Sequence, residues 1–529
     1  MSDHDTSHQQ FTMVPLEKQG TTETGHPSAV SSTSPVNQRA TRRASNASSI
    51  TTNSGEIPPK QSARHSFPQF FVLPHLLKKN AWILLAATTL VMIIYIWLYL
   101  GAVWSPMTRV KNVEILFYNA DQGFDYSTTP PQVVPLFQTI TRNTTLGTVV
   151  QKQILDPTSP ISKIVSWKDV TQEPGWDRLS LIDQVEKGKA WGLLYIPSNF
   201  SSNWLTYAPS TTTGTPLPQN LKPVSMEYVF DQGRNYATHS IVERYISKAM
   251  EGLSRGFENQ LLASAANQTL MQVLHPFYWI QPIYMSETVM NPVLMYGQNF
   301  ASYLVFIVQY IGSILAVYSI CKYLPTTIET VGVLTFGEES PEPISKSSQL
   351  PKFPALRIVL ARNTVAMMFS LLHTIFIWMV PQVLHGHQMS EHFNGGIAFA
   401  FIWFVGLSFI STLFFLSHVF TVDGFQIPAT MLMILMFTTS TGIMDWVVMP
   451  GFYRVGMIFP FTYGVRGMRA IYFGSMRHDM WINWLVVLGW IVIPGLITMF
   501  LARHDIQKRR ETMRRTASMA PTVLSAGVV

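Results

Sequence analysis

From Asn80 to Trp104 the chain reads NAWILLAATTLVMIIYIWLYLGAVW, without one charged residue. About 20 such residues cross the hydrocarbon core of a bilayer as a helix. Trp97 and Trp104 suit the far interface, and Lys78 and Lys79 the near one. A long tail precedes the run, which argues for an uncleaved signal anchor, since signal peptides begin near the N-terminus. Five more segments of bilayer length follow, at roughly Phe300–Cys321, Thr364–Val383, Gly396–Phe420, Phe425–Val448 and Trp481–Ala502. The layout is one span, a large polar region, then a block of five. Composition agrees: of 529 residues 47% are hydrophobic and only 13% charged, against about a quarter charged in soluble domains.

The pattern predicts a polytopic α-helical membrane protein with six transmembrane helices and an α/β exofacial domain between the first and second spans. Its parts are a disordered cytosolic tail (1–79), a first transmembrane helix (80–104), the exofacial domain (105–297), a five-helix membrane block (298–503) and a second disordered cytosolic tail (504–529). The first tail is rich in Ser, Thr, Gln, Asn and Pro, too poor in large apolar residues to offset the entropy of folding. In it Ser45 follows two arginines, the pattern basophilic kinases prefer; the alternative is a solvated basic tail without modification. Ser518 is a second candidate phosphorylation site.

Orientation rests on charge and on glycosylation triplets. The last span ends in ARHDIQKRRETMRR, which the positive-inside rule assigns to the cytosol. Six spans then put the N-terminal tail on the same side. Asn-x-Ser/Thr triplets at Asn143, Asn199 and Asn267 fall in the large polar region, as expected of a lumenal or extracellular domain. Asn46 is in a triplet too, but a cytosolic tail leaves it bare. The net charge of +7 fits basic residues flanking membrane spans, and no basic run interleaved with aromatics suggests nucleic acid. The single cysteine, Cys321, excludes an intrachain disulfide, so the exofacial domain must hold by packing alone.

That domain reads as alternating strands and helices. VKNVEILFYNAD is rich in β-formers and ends in turn residues; LSLIDQVEKGK reads as a short helix and AWGLLYIP as a buried strand. Ser198 is placed to cap a following helix, NFSSNWL, on whose exposed side Ser202 is expected. SMEYVFDQGRN reads as another strand and turn. Val242, Ile246, Met250, Leu253, Phe257 and Leu261 then recur at spacings of four and three, the apolar face of a long helix. Strands alternating with helices suggest a layered α/β domain.

Two stretches carry a resemblance. WGLLYIPSNFS followed by MEYVFDQGRNYAT is one, and STGIMDWVVMPGFYRVGMIFPFTYGVRGMRAIYFGS is the other. Together with the order of spans they make residues 80–503 similar to the fungal nitrosoguanidine-resistance membrane protein family. More distantly, the membrane block resembles the permease subunits of ABC-type exporters. The resemblance implies a protein of the plasma membrane or secretory pathway, linked to drug tolerance and membrane lipid organisation. It also implies a homodimer, since permease blocks of this kind usually pair.

Few constellations suggest chemistry. The only Gly-Lys pair, Gly188–Lys189, lacks the Ser/Thr and earlier glycine of a phosphate-cradling loop, so any ATP drive must come from a separate ATPase chain. HGHQMSEH places His385, His387 and His392, with Glu391, in one short loop. Imidazoles that close can bind zinc or copper, but a glycine-flanked polar connector is the preferred reading, because such a loop is no rigid ligand cage, and no cofactor is expected. Asp445 is near the end of the fifth span, either as an interfacial capping residue or as a charge facing a cavity or an arginine.

Pro450–Met480 holds Arg454, Arg466, Arg469 and Arg477 among apolar residues, and Pro460 divides it. It resembles the pair of short helices that dip into the outer leaflet of ABC-type exporters. The arginines then either hold lipid phosphates or pack and snorkel at the interface. His373, within the third span, is expected to hydrogen-bond between helices. No Ser-His-Asp, paired-carboxylate or Cys-His set stands out. The expected protein is not an enzyme: it supports drug resistance by export or by controlling lipid distribution, with membrane lipids as partners. The alternative is a membrane scaffold or adaptor whose exofacial domain binds a partner and whose tails are phosphorylated; a separate ATPase or another membrane protein is a further candidate partner.

Overall fold

The computed structural model describes residues 79–124, 144–207, 225–264, 282–323, 354–384, 393–420, 422 and 424–519. All lie within one compact unit, Val72–Val529. Ser45, Asn143, Asn267, His385, His387 and His392 are outside the described residues.

Helix α1 (Lys79–Val103) leads through a 3₁₀ turn (Pro106–Asn112) into β1 (Glu114–Asn119). Then come α2 (Leu146–Leu155), β2 (Ser166–Asp169), α3 (Arg178–Glu186), β3 (Gly192–Ile196), α4 (Phe200–Tyr207), β4 (Ser225–Asp231), α5 (Tyr236–Ser264) and β5 (Tyr284–Met290). The strands form one sheet in the order β2-β1-β3-β4-β5. β1 runs parallel to β2 and β3, β4 parallel to β5, and β3 antiparallel to β4. The central strand β3 is therefore where the sheet changes direction, not one strand of an all-parallel sheet.

Successive residues of a strand face opposite sides, and the core divides accordingly. Ile115, Phe117, Leu194 and Ile196 pack with residues of α2, α4 and α5. Leu116, Leu193 and Val229 pack with Leu181 and Val185 of α3. Tyr195 is half-buried and stacks on Tyr118, ring centroids 6.0 Å apart. On α5, Val242, Ile246, Met250, Leu253 and Phe257 are all buried, as their spacing requires; the side chain of Leu261 is outside the described set.

The helix after β3 is capped from a distance. Asp121, just past β1, accepts from the backbone N–H of Ser201 (3.1 Å) and the Ser201 hydroxyl (2.5 Å) at the start of α4. It also accepts from Gly147 N–H at the start of α2 (2.8 Å). One carboxylate thus meets the positive ends of two helices, while Ser198 lies in the turn before α4 without that role. Ser202 is not on an exposed side: it is half-buried and donates to the Gly123 carbonyl at 2.9 Å.

The remaining helices are α6 (Tyr296–Tyr323), α7 (Pro354–Leu384), α8 (Gly395–Val419), α9 (Gln426–Thr439), α10 (Pro460–Tyr472) and α11 (Met480–Met519). Among the described residues five helices, α1, α6, α7, α8 and α11, are long and apolar enough to cross a membrane. The chain is a polytopic helical membrane protein. α8 is the most enclosed of the five and α1 the least. The segment expected as the fifth span, Phe425–Val448, forms only the 14-residue α9 and then breaks into turns. Ser440, Gly442 and Pro450 disfavour continuation. At the end of the chain the expected tail begins as helix, because α11 continues past the apolar run to Met519.

Candidate functional site at the junction of sheet domain and helical block

The turn after β4, Asp231-Gln232-Gly233-Arg234-Asn235, meets the helical block at two segments, residues 441–449 and 469–476. The first follows α9, whose helix ends where the polar run Thr438–Thr441 turns. The second is the end of α10 and the loop beyond it, which includes Met476 in the left-handed region at φ 52°.

Asn235 immediately precedes α5 and works in both directions. Its side-chain oxygen accepts from Thr238 N–H (3.0 Å), capping the helix, and its amide donates to the Thr441 carbonyl (2.9 Å). The Thr238 hydroxyl in turn accepts from Asp445 N–H at 2.9 Å. Gly233 permits close approach: a Cβ there would come within 2.6 Å of Phe473 Cβ. Val448 completes the hydrophobic core of the sheet domain itself.

The junction is charged as well as close. Arg469 is 3% exposed. It donates from Nη1 to the Arg234 carbonyl (3.0 Å) and from Nη2 to the Gly442 carbonyl (3.0 Å), tying the two partners together. Arg234 lies over the Trp191 ring at 3.9 Å and donates to the Ala190 carbonyl (2.9 Å). Arg466 lies over Trp446, 4.7 Å from the ring centre. Asp445 is half-buried and interacts through space with Arg234 and Arg469.

Asp231 is buried, and its Oδ2 accepts from the Ser475 hydroxyl at 2.5 Å. Burial pushes its carboxyl up to about 6, against the lowering pull of Ser475, Asn291 and Arg234. Behind it, His239 is buried and stacks on Phe230, centroids 3.6 Å apart. Burial pushes the imidazole down to about 3, so it is neutral near pH 7. Glu243 Oε2, at 3.7 Å from Nε2, is too far to hydrogen-bond it.

The sequence-predicted residues separate here. Asp445, Arg466 and Arg469 come together at the junction. Arg469 is not placed to hold a lipid phosphate, because its buried guanidinium is turned to two carbonyls. Arg454 is exposed on the 3₁₀ helix Gly451–Ile458, and Arg477 is exposed in a second one, Arg477–Asp479. Pro460 does divide this segment, as the first residue of α10. Asn199 is exposed in the turn between β3 and α4. Ser518 lies in α11, its side chain outside the described set. The Nδ1 atom of His373 has no hydrogen-bond partner among the described residues; it packs instead against Gly312, where a Cβ would come within 2.7 Å.

Asp231, Arg234, Asn235 and Ser475 were not singled out by sequence. The one signal available was that both resembling stretches, MEYVFDQGRNYAT and STGIMDWVV through YFGS, carry polar residues in apolar surroundings. Those two stretches are the ones that meet.

The fold and its junction define a class: a polytopic helical membrane protein with a five-stranded sheet domain held against its helical block by buried polar side chains. The chain belongs to the family described as "Protein of unknown function (DUF3533)", whose model matches residues 83–496. No curated protein and no solved structure matches it.

Proposed function

We propose that this chain is a non-enzymatic membrane protein that supports resistance to nitrosoguanidine-type compounds, by exporting them or by controlling lipid distribution, with no ATPase of its own. The observation that carries this reading is the junction. A sheet domain tied to the helical block through Arg469, Asn235 and Ser475 moves with that block rather than independently of it. Such coupling suits a protein whose membrane helices change arrangement under the influence of a domain outside the bilayer.

In this reading α9 with the segment after it is the sixth passage. Both termini are then cytosolic, the sheet domain is exofacial, and Asn143, Asn199 and Asn267 are glycosylated in a plasma or secretory-pathway membrane. A homodimer, or a separate ATPase, supplies what one chain lacks. The test is transport: the purified chain in liposomes should move a labelled lipid or nitrosoguanidine-type compound across the bilayer, and Arg469→Met should slow it at least several-fold. Absence of movement for both cargoes, with the chain alone and with any ATPase that co-purifies with it, would remove the reading.

A specific observation favours a second reading, a scaffold that binds another membrane protein. β5 is an edge strand with Tyr284 and Val289 exposed, and such edges accept a strand from a partner. Co-purification that is lost on Val289→Pro, with transport absent, would favour it.

A further inference from the structure

Between α6 and α7 lies a cleft of about 580 Å³, within the roughly 300–1,000 Å³ of small-molecule sites. Gln298, Ala301 and Val308 line it from α6, Phe376 and Val380 from α7, and Tyr472 from the end of α10. No charged residue is among its lining. Both walls are helices able to cross a membrane. Val308, Phe376 and Val380 are exposed, so the cleft opens sideways, where a bilayer would lie. From Gly297 to Val308 it follows α6 for about 16 Å at ~1.5 Å per residue. That is about half of the ~30 Å hydrocarbon core, the depth of one leaflet.

The polar groups are at one end. Tyr472 precedes Phe473, which packs on Gly233 of the sheet domain, and Gln298 is in the first turn of α6. The Tyr472 hydroxyl is buried and has no hydrogen-bond partner among the described residues. A buried hydroxyl left in this way is costly. The cleft is thus apolar along one leaflet's depth and has an unused hydroxyl on a residue at its sheet-domain end.

We propose that this cleft holds one acyl chain of a phospholipid from the leaflet on the sheet-domain side, with the ester region of the lipid at the end marked by Gln298 and Tyr472. A compact water-soluble hydrophobe fits less well, because the opening faces the membrane and the length matches a chain. The inference deepens the lipid reading above by naming what is bound, but binding is measurable whether or not lipid is moved.

The test uses the full chain in phosphatidylcholine vesicles containing a phosphatidylcholine with a photoactivatable diazirine at the end of one acyl chain. After irradiation, crosslinked peptides are mapped by mass spectrometry. Labelling should concentrate several-fold on residues 301–308 and 376–380 relative to Ile493 and Phe500, which are exposed on α11. Ala301→Trp, filling the cleft from one wall, should cut cleft labelling several-fold and leave α11 labelling unchanged. Val380→Trp, from the other wall, should do the same. Equal labelling of all three helices in the parent chain means ordinary surrounding lipid and overturns the proposal, and so does labelling that neither folded variant reduces. Concentrated labelling without lipid movement keeps the site and removes the lipid-distribution arm of the reading instead.

Discussion

Ser201 has two roles that are easily confused. It is the third residue of the Asn199 triplet, and its hydroxyl is also buried between Asp121 and Leu146 N–H, accepting from the latter at 2.9 Å. The fold needs a hydroxyl there whether or not a glycan is attached. Ser201→Ala should therefore cost roughly 1–3 kcal/mol by leaving buried polar groups unmatched. Asn199→Gln, on an exposed residue, should leave the melting temperature of the deglycosylated protein within a degree or two. Equal effects of the two substitutions would mean that the Asp121 network contributes nothing.

At the same scale, two buried groups oppose each other in pH. Asp231 has a folded pKa near 6 against an ordinary 3.8. Its burial therefore costs stability above about pH 6, and the cost is relieved as pH falls towards 3.8. His239 has a folded pKa near 3 against 6.5, so it contributes a loss of stability that grows as pH falls below about 6.5. Asp231→Asn should make Tm fall more steeply than in the parent between pH 6 and pH 4. His239→Phe should make it fall less steeply, or rise. The check is a set of thermal melts across that range; identical slopes in all three proteins would contradict both assignments. The burial of Leu193, Leu194 and Ile196 was legible in the sequence because a continuous apolar run bounded by turn residues has few other fates. The charged partners were not legible, because nothing local to Asp231 distinguishes a buried carboxylate from a solvated turn.

Among the elements, the long apolar helices and the strand-helix alternation were readable from period and length. The readings that failed are those set by what lies beside an element. Phe425–Val448 has the hydropathy of a span, yet only 14 residues of it are helical. The rest serves the junction, with Val448 in the sheet domain's core and Trp446 donating to the Thr439 carbonyl at 2.8 Å. The direction of β4 was likewise invisible to periodicity, since parallel and antiparallel strands share a period of two. Helix α1 is held at this same place: the Tyr453 hydroxyl donates to the Leu98 carbonyl at 2.6 Å, and a Cβ at Gly101 would come within 2.7 Å of that hydroxyl oxygen. Gly101→Leu should thus separate α1 from the block. Cysteine crosslinking between Ala102 and Met449, efficient in the parent background, should drop several-fold; undiminished crosslinking would show that the helix is held elsewhere.

For the whole molecule, the junction makes one body of two architectures. Arg469→Met removes the donors of two carbonyls, on Arg234 and Gly442, and should cost roughly 3–6 kcal/mol, as expected for two bonds from a charged group. Arg466→Met removes a half-buried cation over a ring and should cost about 1 kcal/mol or less. Limited proteolysis should accordingly release the sheet domain from the first variant well before the second. Simultaneous release would mean that the hydrogen bonds to the carbonyls do not hold the domain. None of these links was readable along the chain, since Arg469 and Arg234 are 235 positions apart.

That separation also has a cost in time. Ser475 follows Asp231 by 244 positions, and ribosomes add roughly 5–20 residues per second. For about 12–50 s, then, a nascent chain has made the carboxylate but not the hydroxyl that donates to it. The sheet domain must wait through the synthesis of most of the membrane helices before the contact of Asp231 with Ser475 can form. A chain that stalls or misinserts a helix in that interval leaves the Asp231 turn and the place of Val448 uncovered, a lesion that surveillance of newly made membrane proteins can detect far from the helix at fault.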